Sequence, residues 1–119
     1  MATLSNTGMA NQMAFGQHGS AFVDDGGAYT PPTGKVVVAI QCLADTTFTV
    51  LEPEARTDCF GIASGSGQGT NHNLIDSSNL FPKGITVYGR WTEVRLNTAD
   101  SDGGAILYFG PAKEGISTT

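Results

Sequence analysis

Leu80-Phe-Pro-Lys-Gly-Ile-Thr-Val-Tyr-Gly-Arg-Trp-Thr-Glu-Val-Arg-Leu96, followed by Gly103-Gly-Ala-Ile-Leu-Tyr-Phe-Gly110, decides the fold class. Apolar and β-branched residues alternate with polar ones at a period of two, and Gly and Pro stand where a strand must reverse. Phe81-Pro-Lys-Gly84 reads as a turn, residues 85–88 and 91–96 as two strands, residues 100–104 as a hairpin turn, and residues 105–109 as the last strand, closed by Gly110-Pro111. No group suited to catalysis is placed in this block. It describes an all-β module that packs and binds.

Upstream, Lys35-Val-Val-Val-Ala-Ile-Gln-Cys-Leu43 is a β-branched run without polar alternation, which predicts a strand covered on both faces. Asp45-Thr-Thr47 is a turn, and Phe48 and Val50 begin a second strand, so the two are expected to form an antiparallel hairpin. Residues 61–79 form a long Gly, Ser and Asn segment with one apolar pair, Leu74 and Ile75; a stretch of that kind inside a small domain is usually functional or mobile. Tyr29-Thr-Pro-Pro-Thr-Gly34 punctuates the entry to the body, residues 34–111, and residues 112–119 are a polar tail.

Residues 1–33 are dominated by small and polar side chains and read as an extended N-terminal arm. Met9, Met13, Phe15 and Phe22 are its candidate anchors, against a neighbouring surface or the chain's own body. That leaves roughly 85 residues to build a core, a size at which stability is marginal and association with other subunits is an expected supplement. Sixteen glycines against 14 % charged residues suit turns and strands better than helices.

The net charge of −5 and six scattered basic residues argue against nucleic acid, which demands clustered cations. No run of 18 apolar residues is present, and Met1-Ala-Thr-Leu-Ser5 has neither a basic start nor an apolar segment, so no membrane insertion or secretion signal is expected. The chain reads as a soluble product made and used in the cytoplasm. On that compartment argument Cys42 and Cys59 are expected to be free thiols, although a bridge closing the acidic 52–58 loop stays open.

Motif by motif, chemistry is weakly supported. Gly65-Ser-Gly-Gln-Gly69 lacks the strand before and the helix after that a phosphate loop requires. Asp100-Ser-Asp102-Gly has two acids but no downstream bidentate Glu, so a turn explains it better than calcium does, and Asp24-Asp25-Gly-Gly27 reads likewise. His18 and His72 sit in Gly-rich stretches; His72 with Asp76 is the best available pair, yet no nucleophile accompanies it. Glu52 and Glu54 are an ordinary acidic loop. No enzymatic activity, cofactor or metal is therefore expected. Tyr88, Trp91 and Phe109 are assigned to packing or a subunit interface, with a sugar-stacking face of Tyr88 and Trp91 as the alternative. Gly89 is a candidate bulge that would reset which of them faces in.

The aromatic-rich strands Phe81-Pro-Lys-Gly-Ile-Thr-Val-Tyr-Gly-Arg-Trp-Thr92 and Ala105-Ile-Leu-Tyr-Phe-Gly110, with the Asp45-Thr-Thr-Phe-Thr49 turn, resemble the small virion structural proteins of tailed bacteriophages, the capsid decoration or cement proteins. The similarity covers about residues 35–110 and rests on no catalytic signature. It implies a compact antiparallel β-sandwich or jelly-roll-like barrel, bound as a homotrimer to the major capsid protein on the outside of the head. A tail-fibre or head-fibre tip, or a carbohydrate-binding β-module, is the alternative.

Overall fold

The computed structural model describes residues 17–97 and 103–113. They are all-β: β1 Ser20–Val23, β2 Lys35–Cys42, β3 Phe48–Pro53, β4 Thr86–Leu96 and β5 Ala105–Pro111 make one antiparallel sheet in the order β1-β5-β2-β4-β3. The described residues form one sheet and not the two layers that the resemblance implies. The missing layer is supplied by the 54–81 connection, which lays Phe60, Ile62, Ile75 and Phe81 on the face holding Ile40, Phe48, Leu51, Trp91 and Leu107.

Both expected hairpins are absent, for one reason. β2 is apolar on both sides, with Val36, Val37, Ala39, Ile40 and Cys42 all buried, and such a strand belongs in the middle of a sheet where neighbours cover it. It lies between β4 and β5, so the turn at residues 45–47 does not pair β2 with β3, and β4 does not pair with β5. Instead β4 serves two partners along its length: residues 86–91 pair with β2, and residues 91–96 with β3.

The two strands expected at 85–88 and 91–96 are one continuous strand. Gly89 does not reset its alternation: Val87 packs on the core and Tyr88 is exposed, while Trp91 is fully buried. The parity changes at Thr92, the extra residue between the pairs Pro53↔Trp91 and Glu52↔Glu93, and this returns Val94 and Leu96 to the core side. Gly89 serves close packing. A Cβ there would lie 2.5 Å from Cζ2 of Trp91 and 2.6 Å from Sγ of Cys59. The turns entering β2 and β4 are alike, with Lys35 N–H donating to Pro32 O at 3.0 Å and Ile85 N–H to Pro82 O at 3.2 Å. Each places glycine, Gly34 or Gly84, at the third position with positive φ, the type II requirement.

Part of the segment read as an extended arm is stitched into this sheet. β1 pairs with β5, and Tyr29 exchanges two backbone hydrogen bonds with Val94 while its ring stacks on Phe109 at 6.1 Å. An edge strand needs only one apolar face, and Ala21 and Val23 supply it. Met9, Met13 and Phe15 lie outside the described residues.

Candidate functional site

Directly paired residues of neighbouring antiparallel strands share a face. Ala21, Val23, Leu107, Ala105, Ile40, Cys42 and Val87 belong to the core side, so the residues alternating with them form the opposite, outer face. The register sets that face out in two rows across β1, β5, β2 and β4: Phe22, Ile106, Gln41, Thr86, and beside it Ser20, Tyr108, Ala39, Tyr88. None of the eight carries a charge. Phe22 is 57 % exposed and Tyr88 59 %, while Ala39, between the two tyrosines, is 1 % exposed. The Tyr108 hydroxyl donates to Oε1 of Gln41 at 3.3 Å. At about 4.8 Å per strand the rows are about 14 Å wide.

At one end this face meets a cleft of about 240 Å³ lined by Glu54, Cys59, Phe60, Tyr88, Arg90 and Lys113, among others. Glu54 organises it. Its side chain is 1 % exposed, Nε of Arg90 donates to one carboxylate oxygen at 2.7 Å, and the Lys113 backbone N–H donates to the other at 2.8 Å. Burial alone would raise the Glu54 carboxyl; the Arg90 and Lys113 hydrogen bonds and the two positive charges outweigh it and hold the group below the usual carboxylate range. Arg90 also donates to Pro111 O, and Nζ of Lys113 meets Asp58 at 3.1 Å, so the C-terminal end of the described chain is tied down across the cleft. A second depression of about 270 Å³ lies beside residues 30–36 and shares Glu54 in its wall.

The groups weighed for catalysis are engaged otherwise. Asp76 accepts from the Ser78 N–H and hydroxyl, which hold its carboxyl below the usual range, and so caps a turn. The His72 ring packs against Gly67, where a Cβ would come within 2.5 Å of it. Both cysteines are free thiols. Burial pushes Cys42 up, partly offset by a hydrogen bond with Thr46; burial also raises Cys59, partly offset by the Arg90 N–H at 3.4 Å, the reverse of what a nucleophilic thiolate needs. Glu52 pairs with Arg56 at 2.9 Å. Among the described residues no group of three or more His, Cys, Asp or Glu is arranged to hold a metal ion, and no helix is long and apolar enough to cross a membrane.

Of the three aromatic residues assigned to packing or an interface, Trp91 and Phe109 lie in the core and Tyr88 is on the outer face. Trp91 donates its Nε1–H to Phe60 O at 3.0 Å and meets the Phe60 ring edge-on at 5.5 Å, which places it beyond any sugar-stacking role. Phe22 sits on the outer face of β1. Tyr108, Ile106 and Gln41 were not singled out, since only the cross-strand register brings them beside Tyr88 and Phe22. Five of the six basic side chains bind acids or backbone carbonyls: Lys35 on His18 O, Arg56 on Glu52, Arg90 on Glu54, Arg95 on Gly26 O and Lys113 on Asp58. No protein family, curated protein or solved structure matches the chain.

Proposed function

We propose that this protein is a non-enzymatic structural protein of a tailed-bacteriophage virion, which attaches to the major capsid protein on the outside of the head, together with copies of itself, and stabilises the shell as a decoration or cement protein. The supporting observation is the outer sheet face, two uncharged rows that include Phe22, Ile106, Tyr108 and Tyr88 on a chain of net charge −5. Tyrosine and phenylalanine carry much contact area on few rotatable bonds, and depletion of charge is the mark of an interface centre. The face is small beside the area of about 800 Å² per partner that a stable pair in solution buries. Associated copies that engage several capsid sites at once make such a small contact sufficient.

The test is to add purified protein to heads assembled without it, sediment them and count bound copies. Saturation at a number fixed by capsid symmetry, with heads then more resistant to heat, supports the proposal; absence of binding refutes it. The row Tyr108, Ala39, Tyr88, two rings flanking a small buried residue, favours a carbohydrate-binding or fibre-tip module as the second reading. A glycan array on which the protein binds one sugar class, and loses it on Tyr88→Ala, would replace the first with the second.

A further inference from the structure

β1 is the outermost strand of the sheet, and among the described residues no strand pairs with its outer edge. Phe109 N–H donates to Gly19 O at 3.0 Å, so the backbone groups of Gly19, Ala21 and Val23 turn toward β5 and those of Ser20 and Phe22 turn outward. Natural edges are blunted with Lys, Pro or an inward charge. Ser20-Ala-Phe-Val23 has none of these. His18 stands just before the strand, beyond Gly19, and Asp24 directly after it, both exposed.

We infer that β1 pairs with β1 of a second copy, antiparallel about a two-fold axis through Ala21. With the axis normal to the sheet, core and outer faces are preserved, so residues pair with others of their own face. Ser20 then lies opposite the second copy's Phe22, and Ala21 opposite its own counterpart. The four outward N–H and C=O groups of Ser20 and Phe22 on each copy satisfy one another, closing both edges at once. The same register brings His18 opposite the second copy's Asp24, and it does so twice, once at each end of the pairing. This is what selects a second copy over an unrelated strand. An uncharged edge with a base before it and an acid after it is complementary to itself when run antiparallel. Phe22, 57 % exposed in one copy, gains the second copy's Phe22 as a diagonal neighbour, and the two uncharged outer faces become one.

The contact is independent of the capsid reading, and its test needs no capsid. In the full chain, Ala21→Cys places two thiols on the axis in a non-hydrogen-bonded pair, with Cα atoms about 4.5 Å apart, within disulfide reach. Mild oxidation should give a dimer whose bridge maps to residue 21 in both copies, formed at least tenfold faster than with Ser20→Cys. Phe22→Pro removes an outward N–H without touching the β5 ladder. Added to Ala21→Cys, it should slow bridging at least tenfold with the near-ultraviolet circular dichroism unchanged. Sedimentation of the wild type and of Phe22→Pro up to about 1 mM, the weak end of specific association, gives the reading without a new cysteine. A concentration-dependent dimer lost in the variant is expected. Equal bridging from positions 20 and 21, bridging indifferent to Phe22→Pro, or a wild type monomeric at every concentration overturns the inference.

Discussion

Replacing Gly89 by alanine tests the packing that ties β4 to the loop layer. In a strand interior alanine is ordinarily the better residue by about 0.5 to 1 kcal/mol, so with open space above it the substitution would stabilise. Here the new methyl would stand 2.5 Å from Cζ2 of Trp91 and 2.6 Å from Sγ of Cys59, more than about 1 Å inside normal carbon contact. The indole cannot yield freely, since Nε1–H is held by Phe60 O at 3.0 Å and the Phe60 ring abuts it edge-on. Overpacking of this kind costs about 1 to 3 kcal/mol, and the rigid neighbour argues for the upper half, about 2 to 3. For a domain of this size that lowers the melting temperature by about 8 to 20 °C. Thermal and urea unfolding followed by Trp91 fluorescence measure it. Cys59→Ala removes one of the two obstacles, so Gly89→Ala should cost about 1 kcal/mol less in that background, a coupling a double-mutant cycle resolves. A neutral or stabilising Gly89→Ala, or strictly additive changes, would refute this packing.

Trp91→Phe should destabilise by about 2 to 3 kcal/mol, because the Phe60 carbonyl loses its donor and the core loses ring volume; urea unfolding decides it. Glu54→Gln should cost about 1 to 2 kcal/mol at neutral pH, a modest figure because its partner Arg90 is one-third exposed. The Glu54 carboxyl is held below its unfolded value, so its contribution is fully present above the unfolded pKa of about 4.3 and is lost as pH falls through the lower folded value. The acid side of the stability profile should therefore flatten in Glu54→Gln, as melting temperature against pH would record. With a thiol reagent at pH 8, Cys59 should react slowly and Cys42 only on unfolding; prompt reaction of both would contradict their burial.

How much was legible follows from which contacts are local. The apolar run of β2 announced a strand covered on both faces because that requirement is written in consecutive residues, and the turns at Gly34 and Gly84, type II in the structure, were visible as turns because glycine and proline mark them. Neither fact says who the neighbours are. Placing β2 between β4 and β5 depends on competition among all the strands for its two edges, and the hairpin expectations at residues 45–47 and 100–104 considered only chain neighbours. The outer face was half readable. Alternation in an unbroken strand sets Tyr88 and Trp91 on opposite sides, which the candidate bulge at Gly89 left open, and only the register aligns Tyr108, Ala39 and Tyr88. Glu54 was passed over as an ordinary acid, since its burial comes from Arg90 and Lys113, residues 36 and 59 positions away.

The central claim is that the uncharged outer face attaches this protein to a capsid shell, and Phe22→Asp with Tyr88→Asp is the direct probe. Both side chains are more than half exposed, so the fold should survive, as circular dichroism would verify. Sedimented with heads that lack the protein, the wild type should saturate at a fixed number of copies per head and the double variant should stay in the supernatant. A double variant that binds in the same number, or a wild type that does not bind, would contradict the claim.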